Sequence, residues 1–372
     1  MSLTSFRQLY IAIILILSLG CKKGDSPLQQ RSFYMGVTPW PADFTVAEVD
    51  TSYSFINSYC DIVSHHFDEG IPYEEAIKNS GVPVALQNDI NYRLLKTASS
   101  KKIFLSVSAL NLTRKEKSDY YSNSIVSDSI KNYWKQLDFD NPKIVTAYVN
   151  YISWLIDACK PLYINFGVES NNPLWEATAF IQYTNFINKV YAQLKTKYPS
   201  IPLMVSFIVD ENEASLTNAR KLLPYTDFIA LSAYPYVTVS SSATGNTNPD
   251  LFPANYFEKF IQLDVSKPLA FAETSYIAEP LSIPSYNLQK DGTEEWQDNY
   301  LKKILDLCQS HNAKFLIWFC SKDYDGAVAR MKQQGLYQDL FGFWKDTGLK
   351  DENGRERKAM RRWMEWVAKA KG

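Results

Sequence analysis

Short, almost unbroken apolar runs recur along the chain, and between them apolar residues return every three or four positions. The runs lie at 33–38 (FYMGVT), 61–67 (DIVSHHF), 102–108 (KIFLSVS), 161–168 (PLYINFGV), 203–209 (LMVSFIV), 228–234 (FIALSAY), 269–273 (LAFAE) and 315–321 (FLIWFCS). Runs of this length without polar alternation predict strands covered on both faces. The stretches between them predict amphipathic helices. In 141–160, Asn141 stands as a cap and Pro142 opens the first turn, while Ile144, Tyr148, Tyr151, Ile152 and Leu155 share one side. Residues 176–198 repeat the pattern with Ala179, Tyr183, Ile187, Val190 and Leu194, and 294–311 with Trp296, Tyr300, Leu301, Ile304, Leu305 and Cys308. Eight strands alternating with helices imply parallel pairing through βαβ crossovers. The predicted fold is α/β, a single-domain (β/α)8 TIM barrel. The rival, an open doubly wound sheet, would carry a glycine-rich phosphate loop after its first strand. GVTPWP (36–41) has one glycine and two prolines, the wrong composition for that.

In such barrels the reactive side chains come from the C-terminal strand ends, where the βα loops converge. Two runs end on a carboxylate. PLYINFGVES (161–170) climbs to Glu169 on the fourth strand, and PLAFAETSY (268–276) to Glu273 on the seventh. A barrel brings two such residues, distant in sequence, to one rim. Two facing carboxylates are the minimum apparatus for cleaving a glycosidic bond, one protonating the leaving oxygen and the other meeting the anomeric carbon.

That arrangement resembles the clan A glycoside hydrolases over essentially the whole length from residue 33. The resemblance implies Glu169 as acid/base, Glu273 as nucleophile, Tyr234 (in LSAYPYV) as a tyrosine touching the nucleophile, and Trp318 as the aromatic floor under the sugar. AETSY and LSAYPYV look most like the arabinogalactan endo-β-1,4-galactanases. It implies a retaining mechanism, with the carboxyls about 5 Å apart and Glu169 protonated at the start. One position departs from the pattern. The clan has asparagine before the acid/base, on the sugar's 2-hydroxyl, and this chain has Val168. Either Asn171 or Asn172 takes over that contact, or the barrel is slow or catalytically silent and binds glycans without cleaving them.

Other residues near strand ends have two readings each. His65 and His66 are adjacent on a strand, so at most one faces the cleft, and His66 is the candidate for substrate contact. No metal site is expected, because His311 is the only other histidine and falls in a helix. Trp40 and Trp175 are candidate sugar platforms or packing under loops. Asp210, Glu211 and the segment SKDYDG (321–326) are substrate contacts or solvated loop charges. The loop 238–253 is a cleft wall or a plain insertion, and the basic amphipathic stretch after the turn Glu352-Asn353-Gly354 reads as a closing helix or, alternatively, a membrane-surface helix.

The N-terminus changes the picture. Residues 1–20 carry one charge, Arg7, before the apolar stretch IAIILILSLG, and Cys21 follows. This suits a secretory leader and resembles a bacterial lipobox, with Ser18 where leucine is usual. The alternative is an uncleaved anchor helix. The expected organisation is a lipoprotein signal over 1–20, lipidation at Cys21, a flexible tether over 21–32 and the barrel over 33–372. The protein is thus expected in the bacterial cell envelope, held to the membrane through a lipid only. Loss of Arg7 with the leader leaves 38 basic against 40 acidic side chains, which argues against a nucleic-acid surface. Nine Trp and 24 Tyr suit a carbohydrate partner. No cofactor motif is present. Cys60, Cys159, Cys308 and Cys320 match no metal spacing and read as buried thiols, with a disulfide among them the alternative that export allows.

Overall fold

The computed structural model describes residues 30–239 and 244–372. Cys21, the leader and the tether up to residue 29 lie outside the described residues. Seven strands run in order from the N-terminus: β1 (Tyr34–Val37), β2 (Ile62–Phe67), β3 (Lys102–Val107), β4 (Tyr163–Gly167), β5 (Leu203–Ile208), β6 (Ile229–Ala233) and β7 (Leu269–Thr274). A hairpin of β8 (Leu281–Ile283) and β9 (Leu288–Lys290) follows, and then β10 (Phe315–Trp318). β10 pairs with β7 on one side and β1 on the other, so eight parallel strands form a closed barrel. All eight predicted runs are strands of it. The hairpin was not predicted; it turns at Asn287, whose φ of +48° suits asparagine better than most side chains.

Helices cover the outside: α1 (Val46–Tyr59), α2 (Tyr73–Lys78), α3 (Val84–Lys96), α4 (Asp128–Gln136), α5 (Pro142–Cys159), α6 (Ala177–Lys197) and α7 (Glu213–Leu222). Two single turns, α8 (Pro235–Thr238) and α9 (Glu258–Ile261), precede α10 (Glu294–Ser310), α11 (Asp325–Gln333) and the closing α12 (Lys358–Val367). The Asn141 side chain accepts from the Lys143 N–H, which caps α5 as its sequence implies. No helix among the described residues is long and apolar enough to cross a membrane.

Strand alternation divides the interior in two. Leu105, Phe166, Leu231, Phe271, Leu316 and Trp318 face the helices and join the main core. Ile62, Phe104, Met204, Ala230, Ala270 and Phe315 fill the barrel itself, with the Phe104 and Phe315 rings 4.7 Å apart. Each of the larger of these side chains contributes about 1.5–3 kcal/mol by leaving water. Toward the C-terminal ends the filling turns polar: Asn165 Nδ2 donates to Ser206 Oγ at 3.0 Å, with Ser106 at 3.4 Å. An apolar plug below and hydrogen-bonded serines above give the site a rigid, polar floor.

Candidate active site

Strand parity alone would hide Glu273. Ala270 points into the barrel and Phe271 out to the helices, so plain alternation would turn Ala272 in and Glu273 out. The pairing with β6 runs Leu231 to Phe271 and then Ser232 to Glu273, leaving Ala272 as an extra residue. This bulge resets the parity and turns Glu273 inward beside Ser232. Glu169 reaches the same rim differently. β4 ends at Gly167, and two residues on the chain turns through Glu169 with φ +51°. A non-glycine residue held there costs on the order of 1–3 kcal/mol, and such residues cluster at functional sites. Ser206 Oγ, accepting from the Glu169 N–H at 2.9 Å, fixes the turn.

Ser232 joins the two acids. Its hydroxyl donates to Glu169 Oε1 at 2.5 Å, while its backbone stands opposite Glu273 in the sheet. The Tyr234 hydroxyl donates to Glu273 Oε1. On the other side, Arg114 Nε donates to Glu169 Oε2 at 2.9 Å, and its two terminal nitrogens grip Asp68 Oδ1 and Oδ2 at 3.2 and 3.0 Å. His66 Nε2 lies 3.6 Å from Asp68 Oδ2. Burial raises the Glu273 carboxyl above its ordinary value; His66 opposes that, and the Glu169 charge adds to it. Burial works against charge on His66, yet Asp68 and Glu273 outweigh it and hold the imidazole above its usual value. Burial and the Glu273 charge keep the Tyr234 hydroxyl protonated, hence a donor.

Of the residues singled out from sequence, Glu169, Glu273, Tyr234 and His66 share this mouth. His65 points the other way, buried, with Nε2 3.2 Å from Thr97 Oγ1. Three expectations need correction. Trp318 is no sugar floor: it pairs in register with Thr274, is fully buried, and its indole donates to the Thr347 carbonyl at 2.9 Å beside Tyr300. Asn171 is buried and spent on backbone: it accepts from the Ile208 N–H at 2.6 Å and donates to the Ile208 and Ser215 carbonyls. Trp175 packs beneath its loop, stacked on Tyr183 at 5.0 Å, with its N–H on the Ser170 carbonyl. Asn172 likewise donates to the Thr113 carbonyl. Neither asparagine is free to replace the side chain missing at Val168.

Two features escaped the sequence reading. Arg114 lies in a loop with no periodic signal, and its φ of +57° gave no sign in sequence. Phe319, one residue past Trp318, is half-buried and takes the opposite side of the strand end. Its ring lies 5.9 Å from Trp40 and 6.4 Å from Trp344, which in turn sits 5.7 Å from Tyr234. An aromatic wall thus runs from Trp40 to the tyrosine on Glu273. Asp210 accepts from Ser215 Oγ at 2.6 Å at the start of α7, a local structural bond. Cys60, Cys159, Cys308 and Cys320 are buried free thiols. The carboxylates of Glu279, Asp323 and Glu352 lie close together, but Arg357 Nη2 donates to both Glu279 and Asp323 and supplies the positive charge there.

No protein-family model and no curated protein sequence matches the chain. Solved structures do match. The exo-β-1,4-mannosidase Op5Man5 from Opitutaceae bacterium strain TAV5 superposes with a TM-score of 0.57 at 17% identity, over 90% of this chain and 59% of that one. The Ignisphaera aggregans GH53 catalytic domain gives 0.59 at 15%, over 93% and 98%. GH5_18 from Streptomyces cattleya, solved in complex with GlcNAc, gives 0.57 at 13%, over 91% and 80%. The likeness is one of fold. This chain shares the (β/α)8 barrel of these structures, and it spans little more than half the length of the mannosidase.

Proposed function

We propose that the protein is a retaining β-glycoside hydrolase acting on extracellular polysaccharide or oligosaccharide, with Glu273 as nucleophile and Glu169 as acid/base. The observation that carries this reading is Ser232, bonded to one glutamate and paired in the sheet with the other. Tyr234 occupies only one oxygen of Glu273, so the second remains for the anomeric carbon. Attack there forms a glycosyl-enzyme as the bond to the leaving oxygen breaks and Glu169 delivers its proton to that oxygen. Water then enters, gives its proton back to Glu169 and releases the sugar from Glu273. Trp40, Phe319 and Trp344 offer ring faces to a sugar. The fold neighbours support the substrate class, since their names specify a mannosidase and a complex with GlcNAc. A lipid on Cys21 after removal of residues 1–20 would hold the enzyme in the cell envelope.

A second reading, a glycan-binding barrel without turnover, draws on Arg114 and Val168. Both Glu169 oxygens already accept hydrogen bonds, from Arg114 and Ser232, and Val168 has no polar group for the sugar's 2-hydroxyl. Hydrolysis of a panel of β-glycans by wild type, Glu273→Gln and Glu169→Gln separates the two. The enzyme reading expects loss of about 10²–10⁴-fold in the Glu169 variant on unactivated substrates, and a larger loss without the nucleophile. Glycan binding with no wild-type turnover would leave only the binding barrel.

A further inference from the structure

The two ends of this barrel carry different charged groups. At the C-terminal strand ends stand Asp68, Glu169, Asp210 and Glu273. At the N-terminal ends, lysine precedes or opens strand after strand. Lys102 opens β3, Lys160 lies three residues before β4, Lys197 closes α6 ahead of β5, and Lys314 directly precedes β10. All four are exposed, and none has an ion-pair partner among the described residues. Lys195 and Lys267 at the same end are neutralised by Asp227 and Asp264, and the exposed Asp157 and Glu365 at the helix ends there are fewer than the four unpaired lysines. Two large apolar side chains stand exposed among them: Leu95, 80% exposed in the last turn of α3, and Val265, 77% exposed just before β7. Such a mixture of cations and isolated apolar groups suits the headgroup layer of an anionic bilayer.

The chain enters the fold at this same end. Arg31 bridges to Lys371 and its N–H bonds to the Ala370 carbonyl, three residues before β1. From Cys21 to Gln30 is nine residue steps, a reach of about 30 Å at most. α5 alone, 18 residues along the outside of the barrel, is about 27 Å long. A lipid on Cys21 would therefore bring the membrane to the basic end first, because the chain leaves the fold there. We infer that the N-terminal end of the barrel is a docking face for an anionic lipid surface, seated by Lys102, Lys160, Lys197 and Lys314, which aims the mouth away from the membrane. The inference takes the anchor from the reading above and is independent of the glutamates' roles.

The full chain, reconstituted on vesicles of phosphatidylcholine with or without phosphatidylglycerol, tests this by amine-reactive footprinting read by mass spectrometry. On the anionic vesicles Lys102, Lys160, Lys197 and Lys314 should label several times more slowly than on the neutral ones. Salt near 1 M, where the screening length is about 3 Å, should abolish the difference. Lys115, in the loop after β3 at the mouth, should label equally on both. Exchanging Lys102, Lys160 and Lys314 together for Gln should remove the protection of Lys197. Protein absent from both kinds of vesicle would sink anchor and docking together. Bound protein with equal labelling at the base, or with Lys115 protected instead, would sink the docking alone.

Discussion

Burial raises the Glu273 carboxyl despite the opposing charge of His66 and the Tyr234 hydroxyl, and the Glu169 charge adds to the effect. The folded chain therefore keeps that proton to higher pH than the unfolded chain does. Between the ordinary glutamate value and the raised one, the native state binds the extra proton, so stability falls as pH rises through that window. Above it the penalty is present in full, at the pH where a nucleophile has to be ionised. Removing the charge while keeping the Tyr234 bond should relieve it. Glu273→Gln is expected to melt at a higher temperature than wild type at neutral pH, with the gap closing as pH falls below the glutamate range. Calorimetric scans from about pH 4 to pH 8 would follow this. A variant that melts lower than wild type at neutral pH would mean the carboxylate is stabilising, and the site would not be the strained one described.

Strands decide by parity which of two neighbours meets the sugar, and β10 gives the clearest instance. Trp318 points to α10 and Phe319 to the mouth. The apolar run 315–321 shows that a strand is there and that it carries Trp318 and Phe319 side by side, but a run without polar alternation contains no phase. The same limit applies at β7, where the Ala272 bulge that turns Glu273 inward comes from pairing with β6 and not from any local residue preference. What was legible in the site was therefore the pair of strand-end acids and Tyr234, whose side follows from where the runs stop. The Arg114 clamp and the aromatic wall depend on partners many residues away. Two substitutions on β10 separate the roles. Trp318→Ala empties a fully buried site and should cost about 3–5 kcal/mol, lowering the melting temperature with little change in activity per folded molecule. Phe319→Ala should leave the melting temperature nearly unchanged and lower kcat/KM about tenfold, the worth of one aromatic contact. The opposite pattern in thermal melts and glycoside assays would put Trp318 in the cleft.

At the scale of the whole molecule, the repeat of run and helix was enough to read the barrel, because eight βαβ units joined by crossovers have few ways to bury both faces of their strands. It could not show how the C-terminal segment seals the far side. The stretch RERKAMRRW (355–363) reads as a basic amphipathic helix, and nothing in it distinguishes the arginine that is buried. That residue is Arg357, 1% exposed on its side chain, bonded to Glu279 at 2.6 Å after β7 and to the wholly buried Asp323 after β10. Asp323 also accepts from the Gly348 N–H at 2.7 Å, so one ion pair ties two βα loops and the stretch leading into α12 together. Coulomb attraction here has to offset the desolvation of both ions, and the pair as a whole is worth little against an apolar replacement. Breaking it from one side is another matter. Arg357→Met leaves a carboxylate inside the protein without its cation and should cost about 3–5 kcal/mol, a drop in melting temperature on the order of 10 °C. Adding Asp323→Asn to that variant removes the stranded charge and should recover part of the loss, although each change alone removes the same ion pair. Thermal melts of the two single variants and the double variant decide it: losses that simply add would mean that Arg357 and Asp323 are not coupled, and that the C-terminal helix is held by its apolar face and by ties such as Arg362 to Asp298.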